Sequence, residues 1–189
     1  TTSTNVTTSA AVAAVVREEF DAGVAVYRKQ WTAFTAPGLF VLSTDSASGA
    51  VSPCGQLRPG DAFYCPTNNA VYLDLGWVED FSYTARGRGG IAAIVAHELG
   101  HALQAQRHMV FTETGTVVDS ELHADCLSGA VLAARGGSAV EIANAAADAY
   151  ASGSDDWSNP QFHGTGRQRR DATLAGAERG FSACQGYVR

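Results

Sequence analysis

His97-Glu98-Leu99-Gly100-His101 is the segment of this sequence best equipped for chemistry. If it is helical, His97 and His101 stand one turn apart on one face, and both rings can aim a nitrogen at a single metal ion. Glu98 is turned about 100° around the axis. From there it reaches a water on the metal without being a ligand itself. Two imidazoles with a neighbouring carboxylate are the parts of a zinc hydrolase.

A catalytic zinc needs a third protein ligand and one open place. A glycine and a histidine further along the same helix would supply it in one known pattern, but positions 104 and 107 hold Gln104 and Arg107, and His108 is out of step. A Gly-Thr-x-Asp turn at Gly115-Thr116 would need Asp at Val118, and Asp119 comes one residue late. Glu121 is the best candidate. It lies 20 residues beyond His101, room for one helix to end and a second to return beside it. Asp125 follows at i+4 on the same face, placed to accept a hydrogen bond from a ligand imidazole and fix its tautomer. His123, about 200° from Glu121, is read as a helix-surface histidine. His163 is the first choice for an extra donor to the reaction's oxyanion, with Tyr72 and Tyr83 behind it.

The elements that must hold these residues follow from periodicity. Val12, Val15, Val16, Phe20, Val24, Tyr27, Trp31 and Phe34 recur near 3.6 and predict a helix over 9–34, capped by Ser9 and stopped by Pro37-Gly38, after a frayed segment at 1–8. Leu39 to Leu42 and Ala62 to Cys65 are short strands, and 43–61 is a loop. Ala70 to Leu75 alternates as a half-buried strand. Arg86 to Gly90 reads as a flexible lead-in to the central helix, Ile91 to His108. A turn at Thr112 to Thr116 precedes helices over 117–134 and 138–150. A loop from Ser152 to Gly166 with Trp157, Pro160 and His163 leads to a last helix over 167–181. Strands early and helices late predict one α+β domain over 1–189: a small N-terminal sheet, an active-site helix and a following helical part.

The 189 residues carry 13 basic and 19 acidic side chains, a net charge of -6, which is no footprint for nucleic acid. The basic run Arg167 to Arg170 reads as a solvated helix face. No apolar stretch is long enough to span a membrane, and no signal peptide is visible. Four cysteines without metal spacing predict two disulfides and an oxidising, extracellular location. Of three connectivities, Cys54–Cys65 is favoured because it brackets a short turn-rich segment, which leaves Cys126–Cys184. The acidic pairs Glu79-Asp80 and Asp155-Asp156 leave calcium open.

The pattern H-E-x-x-H followed by E-x-x-x-D is the gluzincin arrangement. With Phe63-Tyr64-Cys65-Pro66, Val71-Tyr72-Leu73-Asp74, Glu121-Leu122-His123-Ala124-Asp125-Cys126 and His163-Gly164-Thr165, the chain resembles the bacterial putative neutral zinc metallopeptidase family. The family usually has Gln at position 123 and an aromatic at 127, where this chain has His123 and Leu127. The resemblance implies a zincin-like fold and zinc peptidase activity, and the chain is expected to be a secreted monomer acting on peptides or proteins. The expected roles are His97, His101 and Glu121 on one zinc ion and Glu98 as general base. The substrate is expected beside the Ala70–Leu75 strand. The competing readings are a non-catalytic zinc-binding protein on the same scaffold and a metallohydrolase of a non-peptide bond.

Overall fold

A computed structural model describes residues 2–43, 49–111, 117–159 and 161–188, with side chains from Ser9 onward. It is a mixed α+β fold, mostly helical. The predicted turn at 112–116, with Gly115-Thr116, and Pro160 lie outside the described residues, as does part of the predicted loop over 43–61.

Helix α1 (Thr2–Gln30) starts earlier and ends sooner than its periodicity predicts. Ser9 is therefore inside the helix instead of capping it, and its hydroxyl donates to Glu79. Val12, Val16, Phe20, Val24 and Tyr27 form its buried stripe. Trp31 and Phe34 keep the apolar pattern going after the helix has ended, because both rings stack on Tyr27. The Tyr27 hydroxyl donates to the carbonyl of Ala96 and ties α1 to the central helix.

Strands β1 (Gly38–Leu42), β4 (Ala62–Cys65) and β5 (Ala70–Asp74) form one sheet in the order β1-β5-β4, with β1 parallel and β4 antiparallel to β5. The predicted loop between them carries a small hairpin, β2 (Val51–Ser52) and β3 (Gly55–Gln56), which Cys54–Cys65 joins to the end of β4. Strand β5 is buried along its whole length, not half-buried. Val71 and Leu73 face the helices, whereas Tyr72 sits on the other face between Phe40 and Phe63, its register partners, with ring centroids 4.8 and 5.3 Å away. This corrects two expectations. Both edges of β5 are paired, so no substrate can add to it, and Tyr72 points away from the helix that carries the histidines.

Asp74 ends β5 and accepts from the amides of Gly76, Trp77 and Gly60. A helical turn (Leu75–Trp77) and a π-helical segment (Val78–Tyr83) lead into α2 (Thr84–Gln106). The glycine-rich lead-in is thus part of the helix. Gly87, at φ 57°, ψ -147°, makes a kink. At Gly89 a β-carbon would come within 2.4 Å of the Glu141 carbonyl, so the segment is a tight packing seam and not a flexible link.

Helices α3 (Val118–Ala134) and α4 (Ala139–Ala151) pack on α2, α5 (Gly166–Arg179) packs on α3 and α4, and a 3-10 segment (Gly180–Tyr187) closes the chain. Ser138 and Thr165 cap α4 and α5, each in a reciprocal box with Glu141 or Gln168. Helices α3 and α5 touch backbone to backbone. A β-carbon on Gly129 would fall 1.9 Å from the Thr173 carbonyl oxygen, and one on Gly176 would fall 1.8 Å from that of Cys126. Cys126–Cys184 joins α3 to the 3-10 segment.

Candidate metal centre

Helix α2 is apolar on almost every side from Gly89 to Ala96, and the surrounding helices and sheet bury it. Its next turn lines a cleft of about 910 Å³ whose walls are β4 on one side and α3, α4 and the 152–165 loop on the other. His97, Glu98, His101, Glu121, Asp125 and His163 all border this cleft.

The two histidines meet Nε2 to Nε2 at 3.0 Å, their rings nearly perpendicular at 86°. Glu121 comes in from the first turn of α3, with Oε2 3.2 Å from His97 Nε2 and Oε1 3.2 Å from His101 Nε2. These are donors of the type zinc takes, two imidazole nitrogens and a carboxylate, with ligand atoms within 4.8 Å of one another. Among the described residues this is the one such group; Asp119, His108 and the acidic pairs 79–80 and 155–156 stand outside it.

The outward nitrogens have separate partners. His97 Nδ1 lies 2.9 Å from Asp125 Oδ1, and His101 Nδ1 lies 2.8 Å from Gln104 Oε1. His163, whose side chain is 44% exposed, brings Nδ1 to 3.2 Å from Glu121 Oε2, so the loop histidine does reach the centre. Tyr72 and Tyr83 do not line the cleft.

Two residues depart from the sequence reading. Arg169, expected on a solvated face, is 7% exposed. Its guanidinium donates to both oxygens of Asp125 and lies 3.8 Å from Glu121. The buried stripe Arg169, Ala172, Thr173 and Gly176, at i, i+3, i+4 and i+7, is the signal that would have found it. His123 is buried as well, packed near Phe111 and bonded to Gln104, because α3 is covered on nearly all sides. Gln104, assigned no role by the sequence, touches His101 and His123.

The electrostatics of the cleft favour a cation. Burial opposes charge on His97, but Asp125 and Glu121 outweigh it and push the ring up to about 10. His101 is raised against the same burial penalty by Glu121. Burial opposes ionisation of Glu121 too, yet the three surrounding imidazoles hold it well below the usual carboxylate range. Asp125 is held low by Arg169 and His97 despite its burial. Burial raises Glu98, partly offset by the two histidines and the Tyr64 backbone amide. Burial, with His101 nearby, drops His123 to about 4. With Asp148 at the cleft wall paired to Arg86, the carboxylates Glu98, Glu121 and Asp125 against the Arg169 guanidinium leave two negative charges around the histidines when both ligand rings are neutral, which a divalent ion would balance.

Glu98 Oε2 adds a second test of fit. It is buried and has no hydrogen-bond partner among the described residues. Such an atom is costly unless something polar meets it. A water on an ion held by His97, His101 and Glu121 would meet that need.

A family model described as putative neutral zinc metallopeptidase matches residues 3–183 of the chain. Two curated relatives, each named uncharacterized protein YpfJ, come from Escherichia coli strain K12 and from Escherichia coli O6:H1. Each is 32% identical over 81 residues, covering 35% of this chain and 28% of the relative's own length. No solved structure matches.

Proposed function

The chain belongs to the putative neutral zinc metallopeptidase family, and from that premise we propose that it is a zinc-dependent endopeptidase of zincin-like architecture. The observation that carries this reading is the convergence of His97 Nε2, His101 Nε2 and both Glu121 oxygens beside the buried, unpartnered Glu98 Oε2.

His97, His101 and Glu121 would hold the ion, and zinc bound there would acidify a water and polarise the scissile carbonyl. Glu98 takes the proton of the attacking water at Oε2 and later hands it to the leaving amine. Burial suits it to this task, since a carboxyl raised above its ordinary range holds the proton long enough to deliver it. His163 stands on the solvent side of Glu121, within reach of the cleft, and donates to the oxyanion. Asp125 keeps the proton of His97 on Nδ1, which leaves Nε2 free to ligate.

The peptide pairs with β4, not β5. Strand β4 is at the sheet edge, it borders the cleft through Ala62, Phe63 and Tyr64, and the Tyr64 amide points to Glu98. Backbone pairing along such an edge gives affinity for extended peptides of many sequences.

Two disulfides accord with secretion into an oxidising medium. Among the described residues no helix is long and apolar enough to cross a membrane. We take the functional unit to be a single-domain monomer acting on peptide or protein, without nucleic acid.

The test is metal analysis with a quenched-peptide or casein assay. One zinc per chain, cleavage lost on chelation and cleavage restored by zinc are expected. A fully zinc-loaded chain that cleaves no peptide would leave a non-catalytic zinc protein or a hydrolase of another bond.

A further inference from the structure

The two histidines that converge on Glu121 are supported by different chemistry. Behind His97 stands a carboxylate, Asp125, itself held by Arg169. Behind His101 stands a neutral amide. Gln104 is one helical turn further along α2, at i+3, so its side chain lies over the same face. It is 8% exposed.

The orientation of that amide is fixed by its surroundings. Gln104 Nε2 lies 2.7 Å from the backbone oxygen of Ser120. A carbonyl only accepts, so the group facing it is the NH2. The amide oxygen therefore faces His101 Nδ1, at 2.8 Å. An amide oxygen also only accepts, so the His101 proton sits on Nδ1 and the Nε2 lone pair is left for the metal. The second amide hydrogen points to His123 Nδ1 at 3.1 Å, which places the His123 proton on Nε2. His123 is 3% exposed, with Phe111 beside it. One carbonyl on α3 thus dictates the direction of an amide on α2, and the amide dictates the tautomer of a ligand.

The same amide fixes distance as well as tautomer. Ser120 precedes Glu121, so the bond from Gln104 holds the turn of α3 that delivers the carboxylate. Losing it would free the His101 ring and loosen Glu121 together.

We propose that Gln104, seated by the Ser120 carbonyl and His123, is a positioning residue that commits His101 to its metal-accepting tautomer and sets the Glu121 turn against α2. The proposal rests on the metal-centre reading above, but not on the reaction catalysed there.

Nitrogen-15 spectra of the histidine rings and zinc affinity by chelator competition test it without an activity assay. At a pH high enough for the ring to be neutral, His101 of the wild-type chain carries its proton on Nδ1 even before zinc is added. Gln104→Leu lets His101 populate the other tautomer in the metal-free chain, and zinc affinity falls by about 10–100-fold. Gln104→Glu separates the two roles. Its carboxylate still accepts from His101, so the tautomer stays, but it cannot donate to Ser120, so affinity falls all the same. His123→Gln in the otherwise wild-type chain supplies an amide oxygen to the Gln104 NH2 in place of the ring nitrogen and keeps affinity within about threefold of wild type.

Gln104→Leu with wild-type zinc affinity and unchanged His101 signals overturns the proposal. If that variant does not fold, Gln104→Glu decides: unaltered affinity, or a switched His101 tautomer, overturns it. A wild-type chain that binds zinc yet cleaves no peptide would sink the peptidase reading and leave these ring and affinity results in force.

Discussion

Arg169 donates to both oxygens of Asp125, from Nε at 2.8 Å and from Nη2 at 2.9 Å. Asp125 in turn accepts a hydrogen bond from the Nδ1–H of His97, so a cation, an anion and an imidazole stand in line behind the candidate metal position. All three are buried. In such surroundings a pair is tolerable and a lone charge is not.

The losses from removing each partner singly should therefore not add. Arg169→Met leaves Asp125 with a single imidazole partner, and urea unfolding should show a loss of about 3–5 kcal/mol. Asp125→Asn with Arg169→Met should lose less than the sum of the two single changes. Strict additivity would mean that the two side chains do not interact.

Glu98→Gln keeps the shape of the side chain and removes its capacity to take a proton. Zinc content should stay at wild-type level while peptide cleavage falls by about 10²–10⁴-fold. Undiminished cleavage would remove Glu98 from the proton transfers.

Glu121→Ala withdraws the oxygens that face both rings. Zinc affinity should fall further than the roughly 10–100-fold typical of a residue behind the ligands. Unchanged stoichiometry in metal analysis at limiting zinc would refute the ligand assignment.

Asp148 gives the fold a pH dependence of its own. It is buried on α4, where Ser82 and Arg86 bond to Oδ1 and Arg169 adds a more distant positive charge. Burial outweighs all three and pushes the carboxyl from 3.8 up to about 6. The folded state then binds this proton more tightly than the unfolded chain. Stability from this group is greatest below about pH 4, declines as the pH rises to about 6 and is level above, and the whole decline amounts to about 2–3 kcal/mol. Asp148→Asn removes the titration, so the wild-type advantage over this variant should shrink between about pH 4 and 6 in urea melts. A difference independent of pH would contradict the assignment.

The two disulfides close loops of unequal length, with sequence separations of 11 for Cys54–Cys65 and 58 for Cys126–Cys184. Loop-closure entropy gives about 3 kcal/mol for the first and about 4 kcal/mol for the second. The double alanine variant at 126 and 184 should be the less stable of the two by urea unfolding. The reverse order would show that native contacts, and not the unfolded chain, set the effect.

The sequence made the centre itself legible. His97, Glu98 and His101 stand out because spacing alone puts them on one helical turn, and Glu121 and Asp125 because i and i+4 share a face. What it hid were residues whose environment is set by other elements. Arg169 sits in a basic run that looks solvated, and only the small residues in line with it betray the approach of α3. The angle from Glu121 alone turns His123 outward, but a helix packed on nearly every side has no outward face, a condition hinted at by the apolar run through Leu127, Ala130, Val131 and Leu132. Strand β5 alternates as an edge would, and strand order cannot be deduced from one strand's pattern. The surroundings of Tyr72 are hidden for the same reason, since the rings that sandwich it, Phe40 and Phe63, come from two other strands.

The contact of α3 with α5 at Gly129 and Gly176 leaves no side chain between them to act as a shim. Most interfaces drift over generations by trading a large residue for a small one on the facing side, and here there is nothing to trade. Descendants of this chain can thus vary the exposed side chains of the β4 rim, while the helix pair that carries Glu121, Asp125 and Arg169 must be inherited nearly whole. Variation, on this geometry, accumulates along the banks of the cleft and not in its bed.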